Sequence, residues 1–332
     1  MASDRPNEVI ADLSGLNTGN DVNPFTAFIG ACSDNAAQLQ AAYDSHRTKR
    51  NAAQKEKFLT EGTKLSPDLI LRQMLKLNVQ DERNCLVVWS RPPMHIIDVA
   101  WKVQEMIVKG MPDAWEYWLM PTHNMHMTVA EVAFSQPPEV IQAFVRLLRP
   151  HTARLARTSY THRARLVRPL LSMDTTAFAL SFVPACNEPF LASQMDTMTA
   201  EPPTDEEEGE NNRREDTNTG DAYTYHHLRR DVFSRLIDAG IPPTPRYQVP
   251  SAHITLGRFI GASDQPAITQ ADAEQWIRCV DKINTWLRET YWTSEDVHQS
   301  AEWIVGQERG LDIRYGPVWY GGGKSLVVGE GF

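Results

Sequence analysis

Ser251-Ala-His-Ile-Thr-Leu-Gly-Arg-Phe259 decides the reading of this chain, because Asn124-Met-His-Met-Thr-Val-Ala-Glu131 repeats its chemistry far earlier in the sequence. Each stretch sets a Thr two places after a His, His126 with Thr128 and His253 with Thr255, among Met, Ile, Val, Leu and Phe. Along a short apolar strand, residues i and i+2 point to one face. The imidazole and hydroxyl of each pair therefore look into the same space. Two such strands side by side would gather two imidazoles and two hydroxyls around one point, a set suited to a phosphate ester. The same alternation turns Arg258, an odd number of places from His253, away from that space. A third pair, His46 with Thr48, lies in the polar run Ser45-His-Arg-Thr-Lys-Arg-Asn51 and is read as an exposed helix face.

The 332 residues suffice for one elaborated domain or two closely packed lobes, and 42% apolar with 23% charged residues is ordinary for a soluble globular protein. No apolar run is long enough to span a membrane and the N-terminus lacks a signal-peptide pattern, so an intracellular, cytoplasmic or nuclear monomer with no membrane contact is expected. Cys32, Cys85, Cys186 and Cys279 are scattered without paired spacing, which predicts reduced thiols. The net charge of −9 is concentrated: nine acids face two arginines between Glu201 and Asp221. That segment, about 196–221, is too poor in apolar residues to offset its ordering entropy and is predicted to be a disordered acidic insertion. Seven arginines between Arg146 and Arg168, with no acid among them, read equally as a site for anionic nucleotide or RNA ends and as a solvated helix face.

Residues 1–82 read as an irregular stretch to about Ala31 followed by two helices, the second begun by Ser66-Pro67. They form an N-terminal helical extension with no chemistry of its own. From residue 83 the pattern is α+β. A central strand at Asn84–Trp89 precedes a helix carrying Ile96, Val99, Ala100, Val103 and Ile107, and the first His/Thr strand precedes a helix ended by Pro150. That gives one lobe over about 83–150. A second lobe over about 160–332 repeats the order, with candidate strands at Ala164–Val167 and Ala177–Phe182, the second His/Thr strand, and a helix capped by Thr269. Two last strands flank Tyr320-Gly-Gly-Gly-Lys324, which reads as a hairpin loop. Trp319 and Tyr320 are candidates for stacking on a nucleobase, and Trp89 is assigned to the core.

Two strands bearing His126-Met-Thr128-Val129 and His253-Ile-Thr255-Leu256, each followed by a helix, resemble the two-histidine phosphoesterase superfamily, including the LigT-like RNA ligase/cyclic nucleotide phosphodiesterases. The resemblance covers about Arg83 to the C-terminus. It implies a bilobal fold with two pseudo-symmetric lobes around a central cleft, metal-independent chemistry without a cofactor, and action on cyclic nucleotides or RNA ends bearing 2′,3′-cyclic phosphates. On that reading His126 and His253 are the general acid/base pair, and Thr128 and Thr255 hydrogen-bond the phosphate oxygens. Which imidazole is acid and which is base is not legible. Two alternatives stay open: a non-catalytic nucleotide or RNA-end binding module, and a metal-dependent hydrolase using His123, His126, His226 and His227.

Overall fold

Five consecutive apolar residues, Cys85 to Trp89, are possible in strand β1, Asn84–Ser90, because both of its faces are covered. The structure is a computed structural model that describes residues 12–16, 21–189, 220–241, 248–261, 266–292 and 301–332. Its further strands are β2, Tyr117–Leu119; β3, Met127–Gln136; β4, Arg165–Met173; β5, Ala177–Pro184; β6, Ala252–Phe259; β7, Trp303–Ile304; β8, Arg309–Gly316; and β9, Lys324–Glu330. They build two antiparallel sheets, one in the order β3-β1-β8-β9 and the other β2-β6-β5-β4-β7. The architecture is α+β, as expected. No helix among the described residues is long and apolar enough to cross a membrane.

Sheet membership departs from two consecutive lobes. β8 and β9 pair with β1, so the C-terminal hairpin completes the first sheet, while β2 leaves the first half to pair with β6. The division at about 150–160 is therefore corrected: each sheet draws strands from both halves. Local periodicity identifies strands but carries no information on such distant partners.

The N-terminal residues are also less peripheral than expected. Helix α1, Pro24–Ala31, lies within the stretch read as irregular, with Asn23 capping it by accepting from Phe25 N–H. Helix α2, Ala36–Leu59, packs on β4 and β5. Its buried face, Leu39, Ala42, Tyr43, His46, Arg47 and Asn51, has helical spacing, so His46 is buried and not on an exposed face. Helix α3, Leu69–Leu77, starts two residues later than Ser66-Pro67 implies, with Asp68 as its cap. Ser66 instead hydrogen-bonds Thr175.

The remaining helices are α4, Met94–Gly110; α5, Pro138–Leu148; the short α6, Thr152–Ala156, and α7, Thr158–Thr161; α8, Tyr225–Asp238; and α9, Gln270–Tyr291, capped by Thr269. Two members of the arginine run, both in β4, are taken up by carboxylates. Arg165 is buried against Asp221 and Glu302, each at 2.8 Å, and Arg168 pairs with Glu188. Most of the acidic insertion lies outside the described residues, but Asp221 at its end is held by Arg165. All four cysteines are free thiols.

One buried side chain joins the sheets. Arg229 on α8 donates from Nε to Val129 O of β3 at 3.1 Å and from a terminal nitrogen to Val249 O, just before β6, at 2.8 Å. Replacing it by Met removes donors from two buried carbonyls, each worth about 1–3 kcal/mol when left unmet. Arg229→Met should therefore lower unfolding free energy by roughly 2–5 kcal/mol in urea titrations; a midpoint equal to wild type would show that the clamp contributes nothing.

Candidate functional site

β3 and β6 lie against each other where the two sheets meet, and the faces they share open into one cleft of about 410 Å³. The cleft exists because its walls alternate in size. On β5, Ala177, Ala179 and Ser181 face it while Phe178, Leu180 and Phe182 fill the core. On β1, Cys85, Val87 and Trp89 face it while Leu86 and Val88 join the main core. One wall is thus lined by larger apolar side chains and the other by small ones.

His126, Thr128, His253 and Thr255 all line this cleft, so the two pairs are brought together as the alternation predicts. Each imidazole is fixed through Nδ1. In His126 that atom is 2.8 Å from Asn124 O, and a carbonyl only accepts, so Nδ1 carries the proton and the Nε2 lone pair is the basic atom. In His253 Nδ1 is 3.0 Å from Ser251 Oγ. His126 also lies flat on Trp89, with ring centroids 3.7 Å apart and an interplanar angle of 16°. Trp89 is therefore both buried and part of the site. It faces Thr128 across the β1–β3 ladder, a pairing that no single strand reveals.

Alternation fails beyond the Thr in both motifs, for the same reason. In the β1–β3 ladder Val88 pairs with Ala130 and Trp89 with Thr128, leaving Val129 as an extra residue. In the β5–β6 ladder Phe178 pairs with Gly257 and Ala179 with Thr255, leaving Leu256 extra. Each is a β-bulge that resets which face the following residues take. Glu131 and Arg258 consequently return to the cleft, each five places after its His. The expectation that Arg258 points away is corrected by this bulge. Gly257 is needed there, since a Cβ would stand 2.4 Å from the Phe178 ring and 2.6 Å from Trp118 O.

The carbonyls of both bulged residues take buried side chains. Val129 O takes the Arg229 guanidinium; Leu256 O takes the Gln104 amide at 2.9 Å and Met120 N–H. Arg258 is steadied by Asp68, 3.6 Å away, and by the rings of Trp319 and Tyr320.

Trp319 lines the cleft, as a stacking residue should. Tyr320 does not. It is buried with its hydroxyl accepting from Arg83 and donating to Asp68, both at 2.8 Å, and its proposed role in gripping a base is corrected to a structural one. The imidazoles of the metal reading are not gathered. His226 is fully buried against Tyr43, His227 bonds Asp34 and Thr224, and His123 is exposed. No group of three His, Cys, Asp or Glu suited to a metal occurs among the described residues.

Burial pushes both cleft imidazoles down, His126 to about 3 and His253 to about 4, and nearby cations add to it: Arg91 and Arg258 act on His126, Arg50 and Arg258 on His253. The expected split, one ring neutral and its twin protonated, is therefore not the resting state. Both are neutral near pH 7.

No family model matches this chain, and no curated protein is similar to it. Among solved structures, a conserved protein of unknown function from Agrobacterium tumefaciens str. C58, ATU0111, is 13% identical over 75% of this chain and 86% of its own, with a TM-score of 0.39. That likeness is too low to carry an argument about fold or activity.

The depressed values fix a pH effect. The unfolded chain protonates these rings near 6.5, whereas the folded one resists until about 4 and about 3. Between those limits the unfolded state holds more protons, so each ring lowers stability as pH falls below 6.5 and has no such effect above it. Relative to wild type, the double variant His126→Gln/His253→Gln should lose roughly 1–2 kcal/mol less per ring between pH 7 and pH 5. Denaturant titrations at the two pH values give the comparison; equal losses in both proteins would mean the rings are not desolvated.

Proposed function

We propose that this protein is a phosphodiesterase that hydrolyses 2′,3′-cyclic phosphates or related cyclic nucleotide and RNA ends without a metal, on a bilobal fold of the two-histidine phosphoesterase type. The observation that carries the reading is that two His/Thr pairs, from different sheets, face one cleft with each ring tethered through Nδ1. Binding alone has no need of two titratable rings so held.

The tethers divide the labour. His126 donates Nδ1–H to a carbonyl, so its Nε2 takes a proton from the attacking water while the water oxygen bonds to phosphorus. The ribose oxygen leaves as its bond to phosphorus breaks and takes a proton from Nε2 of His253. Ser251 accepts from or donates to Nδ1 of His253 and keeps that ring oriented in either protonation state. Thr128, Thr255 and Arg258 bind the non-bridging oxygens, where charge accumulates.

His253 must first acquire its proton, since it rests neutral. An anionic phosphate supplies the driving force. At about 4 Å and an effective dielectric of about 20, a unit charge stabilises an imidazolium by about 4 kcal/mol. That matches the cost, about 4 kcal/mol, of protonating at pH 7 a group that titrates near 4. Substrate binding thus completes the acid, and proton uptake accompanies it.

A change of leaving group tests the assignment. On a 2′,3′-cyclic nucleotide, His126→Ala and His253→Ala should each lower kcat by about 10²–10⁴. A p-nitrophenyl phosphodiester expels an anion that needs no proton, so on it the His253→Ala deficit should shrink to within about tenfold while the His126→Ala deficit persists. Equal deficits on both substrates would overturn the division of labour, and undiminished turnover in both variants would overturn the site itself.

A further inference from the structure

Trp89 has no side-chain group that titrates, yet its indole is the surface on which His126 lies. The χ2 torsion of a histidine is soft, so the covalent link to the strand does not by itself aim the ring. The Nδ1 contact with Asn124 O fixes one atom of the imidazole. Stacking at 3.7 Å and 16° removes the remaining tilt. Two contacts of different kinds thus hold His126 and leave its Nε2 edge to the cleft that the residue lines.

The indole is itself held. Trp89 is buried and faces Thr128 of β3 and Asp312 of β8 across its two ladders. Arg91, two places further on, brings its guanidinium to 4.8 Å from the indole centroid. It donates from Nε and one terminal nitrogen to Asp312 Oδ2, at 3.2 and 3.1 Å, and from the other to Met125 O at 3.2 Å. Met125 immediately precedes His126. Arg91 therefore steadies the same histidine twice, through the main chain at Met125 and through the ring of Trp89.

The charges around the indole suit a base. An indole face alone attracts a cation and would favour the imidazolium form of a stacked ring. Here Arg314 also lies near that indole, 5.5 Å from its centroid, and Asp312 is the carboxylate that both guanidinium groups share. The cluster keeps a positive charge, which opposes a further cation on the same ring. His126 is held flat and unprotonated, as removal of a proton from water requires.

We propose that Trp89, steadied by Arg91 and Asp312, is a positioning residue for the general base and acts on turnover only by orienting His126. The inference rests on the function proposed above. It gives β1 and β8, which carry neither motif, a part in the reaction.

A double-mutant cycle on a 2′,3′-cyclic nucleotide tests it. Trp89→Leu and Arg91→Met should each lower kcat by about tenfold, the upper end of what an aromatic pair contributes, with KM within about twofold of wild type. Trp89→Phe retains a ring and should restore kcat to within about threefold. In a His126→Ala background the losses from Trp89→Leu and Arg91→Met should shrink to within about twofold, because groups that act as a unit are not additive. Losses as large without His126 as with it would overturn the proposal, since a merely structural Trp89 weakens both backgrounds alike. Arg91→Met leaves the indole in place and reads the same coupling should Trp89→Leu fail to fold. If wild type turns over the cyclic nucleotide and the losses are additive, the positioning role is wrong and the phosphate site stands. If wild type turns over no cyclic phosphate, the base assignment is wrong and this role falls with it.

Discussion

A single buried guanidinium holds together the two strands on which the candidate chemistry depends. Arg229 binds the carbonyls of Val129, next to Thr128 in β3, and of Val249, three residues before β6. Its neighbour on the same helix face, Tyr225, donates to Thr128 O at 3.1 Å. Helix α8 therefore fixes the separation of β3 and β6 through main-chain atoms, which leaves the side chains of both motifs to face the cleft. The Val129 carbonyl is available because a bulge removes it from the ladder, so the irregularity and the clamp require each other. Gln104 from α4 stands in the same relation to Leu256 on the other strand.

The pair of bulges also sets the electrostatics. Without them Glu131 and Arg258 would point into the core, where unpaired charges cost several kcal/mol each. With them, the two face the cleft at matching positions and carry opposite signs. Around them the site is nearly balanced, which agrees with imidazoles that stay neutral until an anion arrives. A strongly cationic cleft would bind phosphate more tightly but would also keep His253 from accepting the proton that an acid must deliver. The arrangement trades ground-state affinity for a ring that becomes charged only beside its substrate.

Legibility in the sequence tracks how local each determinant is. The His/Thr spacing, the Thr269 cap and the hairpin around Gly321–Gly323 depend on neighbours within a few residues, and all are found where the pattern places them. Arg258 is misplaced by strict alternation because a bulge adds one residue, and nothing in Leu256-Gly257 distinguishes a bulge from an uninterrupted strand except the glycine itself. His46 and Arg47 are misjudged for another reason. Their helix carries its buried stripe on polar residues whose partners are distant carbonyls, such as Arg168 O for Arg47 and Leu171 O for Asn51, so hydrophobic periodicity passes over them. Tyr320 fails as a stacking residue since its hydroxyl is consumed by Arg83 and Asp68, partners more than 200 positions away.

Those last contacts bear on the place of the N-terminal helices. Asp68 caps α3 by accepting Leu71 N–H, takes the Tyr320 hydroxyl, and stands beside Arg258. One carboxylate thereby links a helix start, the C-terminal hairpin and the second motif strand. Arg83 continues the chain of contacts from Tyr320 to Asp81, with its guanidinium 4.6 Å from the Trp319 ring centroid. The guanidinium of Arg258 owes its position to this network, and the other end of the cleft owes its wall to α2. Residues before 83 therefore line the cleft through α2 and steady Arg258 through Asp68, although nothing in their own pattern of apolar residues says so. A sequence comparison confined to the motif-bearing region would recover the reacting groups while missing what orients them.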